Sequence, residues 1–387
     1  MNMELGTAKR VITPPRPVRL AGYATRTTPF DSVLEDIYVR VHDYRCGSAR
    51  AVLVYGDLLW WNSEFVAMAR PCLAAALGVK EEQILFTASH NHSGPGTGGN
   101  FTPLLETVDA EYTEFLYTQV ETAACAAAQN VEPVRGTVHR GECALNVYRR
   151  VHTPDGIAMW PNYDMPADHH LTVVRLERAD GTVKGVLLHY PCHANLANGN
   201  AVHPDYPGAA LRMLDETFPG SVGVFLQGCT ADLRPNSVLG ERFVPQSYEG
   251  VQNFARQFAA GAHRGDAERA QVRAHQQRLR VGVADAADAA ATVEALQVVF
   301  EARAERRVLD RVDLALEASF LRIVEDHACA FRSQVGVVVH AEEHVQHHVV
   351  MRRRPKESAH CLPFVVPAAN PCQQKYQYTA TAGPKER

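Results

Sequence analysis

The sequence predicts an α/β protein in which mixed β-sheets are layered with helices, and three observations carry that expectation. Short apolar runs alternate with amphipathic helical stretches through most of the first 265 residues. Residues Leu171–Tyr190 alternate in apolar character around Ala179-Asp180-Gly181, the pattern of a β-hairpin. Hairpins mixed with β-then-α units require sheets that are neither wholly parallel nor wholly antiparallel, covered by helices.

Each element has its own local reason. "RAVLVYGD" (50–57) and "QILFTAS" (83–89) are short apolar runs of buried-strand type, and "VGVFLQG" (222–228) is a third. "EFVAMARPCLAAALG" (64–78) has helical spacing and stops on Gly78, a residue suited to the left-handed turn that ends helices. "AEYTEFLYTQVETAACAAAQN" (110–130) and "YEGVQNFARQFAAGAHR" (248–264) are helical by the same spacing. "PGAALRMLDETF" (207–218) starts with Pro207, as a first helical turn can. Residues 265–333, rich in Ala, Arg, Glu and Asp, read as helical and peripheral, with strands expected at 334–339 and 363–368. No repeat or low-complexity linker marks a boundary, so the 387 residues read as a single domain.

Composition removes several classes of function. The chain is 46% hydrophobic and 21% charged, with 39 basic and 43 acidic residues for a net charge of −4. The basic footprint of a nucleic-acid binder is missing. The short run "MRRRPK" (351–356) reads as a solvated face. No run of eighteen or more apolar residues suggests a transmembrane helix. The start, "MNMELGTAKRVITPP", has no apolar segment of signal-peptide type. Nine cysteines, scattered without a CxxC pair, fit reduced thiols and hence a cytoplasmic protein.

The polar residues that can carry chemistry follow apolar runs, where loops at strand ends gather function. "TASHNHSGPGTGGN" puts His90 and His92 at the end of a strand, followed by glycines that let backbone approach closely. In an extended segment alternate side chains share a side, so both rings can face one metal. The alternative is an ordinary surface loop. "LLHYPCHANLANGNAVHPDYPGAA" holds His189, His193, His203 and Asp205, the last just before a helix, where it can simply cap free amides. "FLQGCTADLRPN" offers Thr230, Asp232 and Arg234, or only a polar turn. "NVYRR" offers Arg149 and Arg150, and "VVVHAEEHVQHH" offers Glu342 and Glu343. Motifs of other chemistries are missing: no GxSxG, GxxxxGK[ST] or HExxH occurs. Two histidine-bearing strand ends with carboxylates near both point to a zinc site.

These stretches, with "GTAKRVITPPRPVRLAGYATR" at the start, resemble in order the neutral/alkaline non-lysosomal ceramidase family. The resemblance covers residues 5–240 and is carried most specifically by His90-Asn91-His92-Ser93-Gly94-Pro95. It implies a ceramidase catalytic-domain-like fold, one zinc held by two histidines, a glutamate and a tyrosine, and hydrolysis of an amide, as in sphingolipid metabolism. Carried over by motif, the ligands are His90 and His193, with His92 a near-site residue contacting substrate or oxyanion. Glu343 and Tyr376 stand where the remaining ligands belong, with Glu342 and Tyr378 as neighbours. The family's Pro-Gly before that glutamate is missing here. Where the family has Gly-Asp-x-Ser-Pro-Asn, this chain has Ala231-Asp232-Leu233-Arg234-Pro235-Asn236, with arginine in place of the serine. The chain also ends soon after Tyr376, which implies a shorter relative.

The expected function is a zinc-dependent amidohydrolase acting on an acylated small molecule or lipid through metal-activated water. His92 and Arg150 (or Arg149) are expected at the oxyanion, and Asp205 or Asp232 behind a ligand histidine. A metal-binding member without turnover, and a lactone or ester hydrolase, are the alternatives.

Overall fold

The computed structural model describes residues 3–99 and 102–267. The strands expected at 334–339 and 363–368, and the helical segment beyond 267, lie outside the described residues, as do Glu342, Glu343, Tyr376 and Tyr378. In chain order the principal elements are β1 (Met3–Val11), β2 (Tyr38–Cys46), β3 (Ala49–Gly56), α1 (Ser63–Leu77), β4 (Ile84–Ala88), α2 (Ala110–Gln129), β5 (Glu132–Pro133), β6 (Arg135–Glu142), β7 (His170–Glu177), β8 (Val183–Tyr190), α3 (Asp205–Thr217), β9 (Val222–Gln227) and α4 (Tyr248–Ala267).

Two mixed sheets form from these strands, in the orders β4-β3-β2-β1-β5 and β9-β8-β7-β6. Each contains one parallel pair, β3 with β4 and β8 with β9. The expected hairpin is β7–β8, turned where Gly181 takes φ +86° and Asp180 Oδ1 accepts from the Thr182 amide at 2.9 Å. Helix α1 ends as its glycine requires, with Gly78 at φ +64° and its amide on Ala74 O. Helix α3 begins two residues before Pro207, at Asp205. Strands β1, β2 and β6 carry many charged and polar residues and have no apolar run to announce them.

Alternation along the strands sorts side chains into layers. Val39, Val41, Val52 and Val54 point to one face of the first sheet and pack with Phe65, Leu73, Leu116 and Val120 of α1 and α2. Leu5, Leu53 and Tyr55 point the other way and join the core built by the second sheet. That core continues to Leu211, Leu214 and Phe258 of α3 and α4. The sheets approach closely: a Cβ on Gly185 would stand 2.8 Å from Leu5 and 3.1 Å from the His42 ring. Both parallel pairs discharge their chain ends into loops, and His90, His92, His193, Thr230 and Asp232 sit in those loops.

The layer between the sheets also holds polar groups. Arg40, fully buried, donates to Asp215 at 2.6 Å, and Lys9 reaches the same oxygen at 2.8 Å. His42 bridges the layers, one ring nitrogen 2.8 Å from Tyr44 Oη and the other 2.8 Å from Val222 O. Burial lowers its pKa to about 4 from 6.5. The unfolded chain therefore takes up this proton first as pH falls. The stability tied to neutral His42 is complete above about pH 6.5 and is lost between there and about pH 4, by roughly 3 kcal/mol. Urea unfolding of wild type and His42→Gln across that window should show the wild type losing stability faster. Parallel profiles would refute the assignment.

Candidate metal centre

The loop after β4 is built to turn two histidines inward. Ser89 N bonds Gly56 O, Asn91 N bonds Leu58 O, and His92 N bonds Ala194 O, so each residue is tied to a different neighbour. His90 between them takes φ +62°, a conformation uncommon outside glycine and costing of order 1–3 kcal/mol. The rings meet 5.0 Å apart at 83° because of this kink, and not because an extended chain alternates. Asn91 holds the turn from within, its amide donating to Asp57 O and His203 O and its Oδ1 accepting from Ser93 N.

The third ring arrives from the loop after β8. His193 stands 4.5 Å from His90, ring centre to ring centre, and 5.2 Å from His92. In all three rings Nδ1 faces a carbonyl: His90 on Leu59 O at 3.1 Å, His92 on Gly22 O at 3.0 Å, His193 on Thr230 O at 3.1 Å. A carbonyl only accepts, so Nδ1 carries the proton and each Nε2 keeps its lone pair. These lone pairs converge. Nε2 of His90 lies 3.1 Å from Nε2 of His193, and buried Nε2 of His92 has no partner among the described residues. One ligand atom from each ring lies within 4.8 Å of the others.

Two ring nitrogens facing each other at that distance can share a proton or take a metal ion between them, and with His92 they form a group that could hold a metal. Nitrogens about 2.0–2.1 Å from one tetrahedral zinc stand about 3.3 Å apart, so the donor set fits such an ion. Electrostatics favour the ligand form. Burial lowers the pKa of His90 to about 4, and burial followed by the neighbouring cations and rings holds His92 and His193 well below 6.5. All three are neutral at pH 7 and ready to bind metal without losing a proton.

The crystal structure of neutral ceramidase from Pseudomonas aeruginosa superposes with a TM-score of 0.60 at 20% sequence identity, covering 68% of this chain and 44% of that one. A ceramidase complexed with C2 gives a TM-score of 0.59 with the same identity and coverage. The mixed α/β fold is similar to the matched part of these ceramidase structures. The matched part spans less than half of either ceramidase chain. No protein-family model matches the chain, and no curated protein does.

Around the histidines, the ceramidase-like fold assembles the other candidate segments. Asn146–Tyr148 pairs antiparallel with Leu233–Pro235, joining the "NVYRR" and "TADLRPN" stretches. His193 N reaches Leu233 O at 3.4 Å, and Arg149 N bonds Asp232 O at 2.8 Å. Arg149, 9% exposed, donates through Nε to Ala231 O and acts electrostatically on all three histidines. Arg150 instead is partly exposed and salt-bridged to Asp232 at 2.6 Å. Of the two arginines, Arg149 is the one beside the rings. Asp232 is tied to Arg150, while Thr230 supports His193 through its backbone carbonyl and its hydroxyl.

Asp205 serves the loop and touches none of the three rings. Fully buried at φ +49°, it is the first helical residue, after Pro204 as cap, and its carboxylate accepts from Leu196 N and Tyr206 N. Burial raises its pKa to about 6. His203 accepts from the Asp205 amide and packs on Tyr248, and His189 is buried inside β8. Of the three histidines in that segment, only His193 joins the cluster.

The sequence reading missed two residues of the site wall. Arg26 donates to the carbonyls of Ala21, His92 and Gly199, clamping three loops together. Tyr23 lies against the Arg26 guanidinium, and its ring centre is 5.0 Å from that of His92. Both sit in the irregular stretch after β1, where no periodicity marks a side chain as inward.

Proposed function

We propose that this protein is a zinc-dependent hydrolase that cleaves the C–N bond of an N-acylated small molecule or lipid. One observation carries the reading: three imidazoles, His193 buried and His90 and His92 half-buried, each fixed by a carbonyl on Nδ1, present their Nε2 lone pairs to one point. The shared fold with neutral ceramidase supports the choice of hydrolysis and of an acylated substrate.

His90, His92 and His193 hold the ion, with His92 promoted from substrate contact to ligand by its unpartnered Nε2. Glu343 and Tyr376 are assigned as further ligands by the ceramidase resemblance. When bound, the ion supplies Lewis-acid chemistry, polarising a carbonyl and making water acidic enough to attack near neutral pH. The carbonyls of Leu59, Gly22 and Thr230 fix ring orientation and tautomer, which raises ligand basicity. Arg149 places a positive charge where negative charge develops on the carbonyl oxygen, within a buried site that strengthens it. Arg150 and Asp232 hold the Ala231 turn against it from outside, and Asp205 holds the loop that follows His193. A cytosolic setting belongs to the same proposal.

The test combines metal analysis with turnover. The protein as purified should contain about one zinc per chain and hydrolyse N-acyl amides in preference to matched esters and lactones. Exhaustive chelation should remove the activity and added zinc restore it. Activity that persists in metal-free protein would overturn the proposal. Ester or lactone preference would retain the zinc and change the bond. Arg149→Met should lower kcat by about 10²–10³-fold while zinc content is unchanged. Steady-state kinetics beside elemental analysis separates this from loss of the ion.

A further inference from the structure

Resting on the hydrolase reading, the geometry points to a substrate that carries a carboxylate, held by Arg234 beside the histidine cluster. Arg234 lies one residue beyond Leu233, whose carbonyl receives the His193 amide, and its Nη2 reaches Asn195 O only at 3.5 Å. Its guanidinium lies 4.5 Å from the Phe243 ring centre, and Nη1 meets Met159 Sδ at 3.7 Å. Nε is buried and has no partner among the described residues. A guanidinium offers five donors in a planar fork that matches a carboxylate, and here most of that capacity is spent on weak acceptors.

The surrounding charge is unbalanced in the same sense. Arg26, Arg149, Arg150 and Arg234 gather here, and among the described residues only Arg150 has an ion-paired carboxylate, Asp232. Asp205 acts electrostatically on Arg234, but its oxygens already accept from Leu196 N and Tyr206 N. Arg149 and Arg234 raise each other's electrostatic cost inside a poorly solvated wall. A ligand anion relieves that cost, whereas a neutral amide leaves it standing. Arg234 also acts electrostatically on Tyr23, whose ring packs on His92.

The rim nearby suits an acyl chain. Ile157, Met159 and Tyr163 are exposed by 60%, 52% and 65%, on the segment that touches Arg234. An amphiphilic anion of the N-acyl amino acid type satisfies both features.

The test uses zinc-loaded full-length protein with N-octanoylglycine and N-octanoylglycinamide, which differ in one charge. Calorimetry or ligand-observed NMR should show the carboxylate binding about 10- to 100-fold tighter, as a charge-assisted hydrogen-bonded pair predicts. Arg234→Gln should bring the ratio close to one, and Arg234→Lys should restore part of it. Circular dichroism checks that both variants fold. Equal affinities in the wild type, no binding of either compound, or a ratio unchanged in Arg234→Gln would each overturn the inference. Turnover is scored separately: selective binding without cleavage refutes the hydrolase reading alone, and cleavage without charge preference refutes the carboxylate alone.

Discussion

Replacing His193 by alanine is expected to abolish zinc binding and to lower hydrolysis by on the order of 10³-fold or more. Metal chemistry supplies several kcal/mol of transition-state stabilisation, and each 1.36 kcal/mol is about a factor of ten. His193 comes from the second sheet's loop, so it closes a site that β4 alone leaves as a pair. The fold should survive, because His193 lies in the loop after β8, outside every strand and helix. Zinc content by elemental analysis and hydrolysis rate should therefore fall together while thermal unfolding in chelator stays near the wild-type value. Full zinc occupancy in His193→Ala would remove this residue from the ligand set.

Gly22→Ala should weaken zinc without altering any ligand. Gly22 has φ +95°, where an L side chain is strained, and a Cβ there would stand 2.6 Å from His92 Nδ1. That nitrogen donates to Gly22's own carbonyl, so the added methyl pushes on the ring that the carbonyl holds. The outer partners of ligating histidines are typically worth 10–100-fold in metal affinity, and a loss of about that size is expected. Competition against a chelator of known affinity measures it. An unchanged affinity would mean that His92 is not held to the ion through this contact.

Some of this was visible before any coordinates. Apolar runs placed β3, β4 and β9, helical spacing placed α1, α2 and α4, and Asp180-Gly181 placed the β7–β8 turn. These are local effects, decided by residues a few positions apart. Strands β1 and β2 were not legible because their inward positions include Thr7, Arg40 and His42. Arg40 and His42 are buried where Asp215 of α3 and Val222 of the second sheet arrive to receive them.

The candidate site divides in the same way. The loops that bear chemistry were named from residue type and from their place after strands, and His90 and His193 were taken as partners from the ceramidase resemblance. For His92 the residues allowed a ligand and the resemblance gave a substrate or oxyanion contact; nothing local shows that Gly22 O takes its Nδ1 and leaves Nε2 bare. Nor does "NVYRR" say which arginine turns inward. That choice follows from the ladder between Asn146–Tyr148 and Leu233–Pro235, which buries Arg149 and leaves Arg150 to Asp232. Sequence by itself determined the donor types, the strand ends that carry them and the layered α/β class. Tertiary structure decided which donors meet, because convergence depends on carbonyls at positions 22, 59 and 230 that only the packed sheets bring to one place.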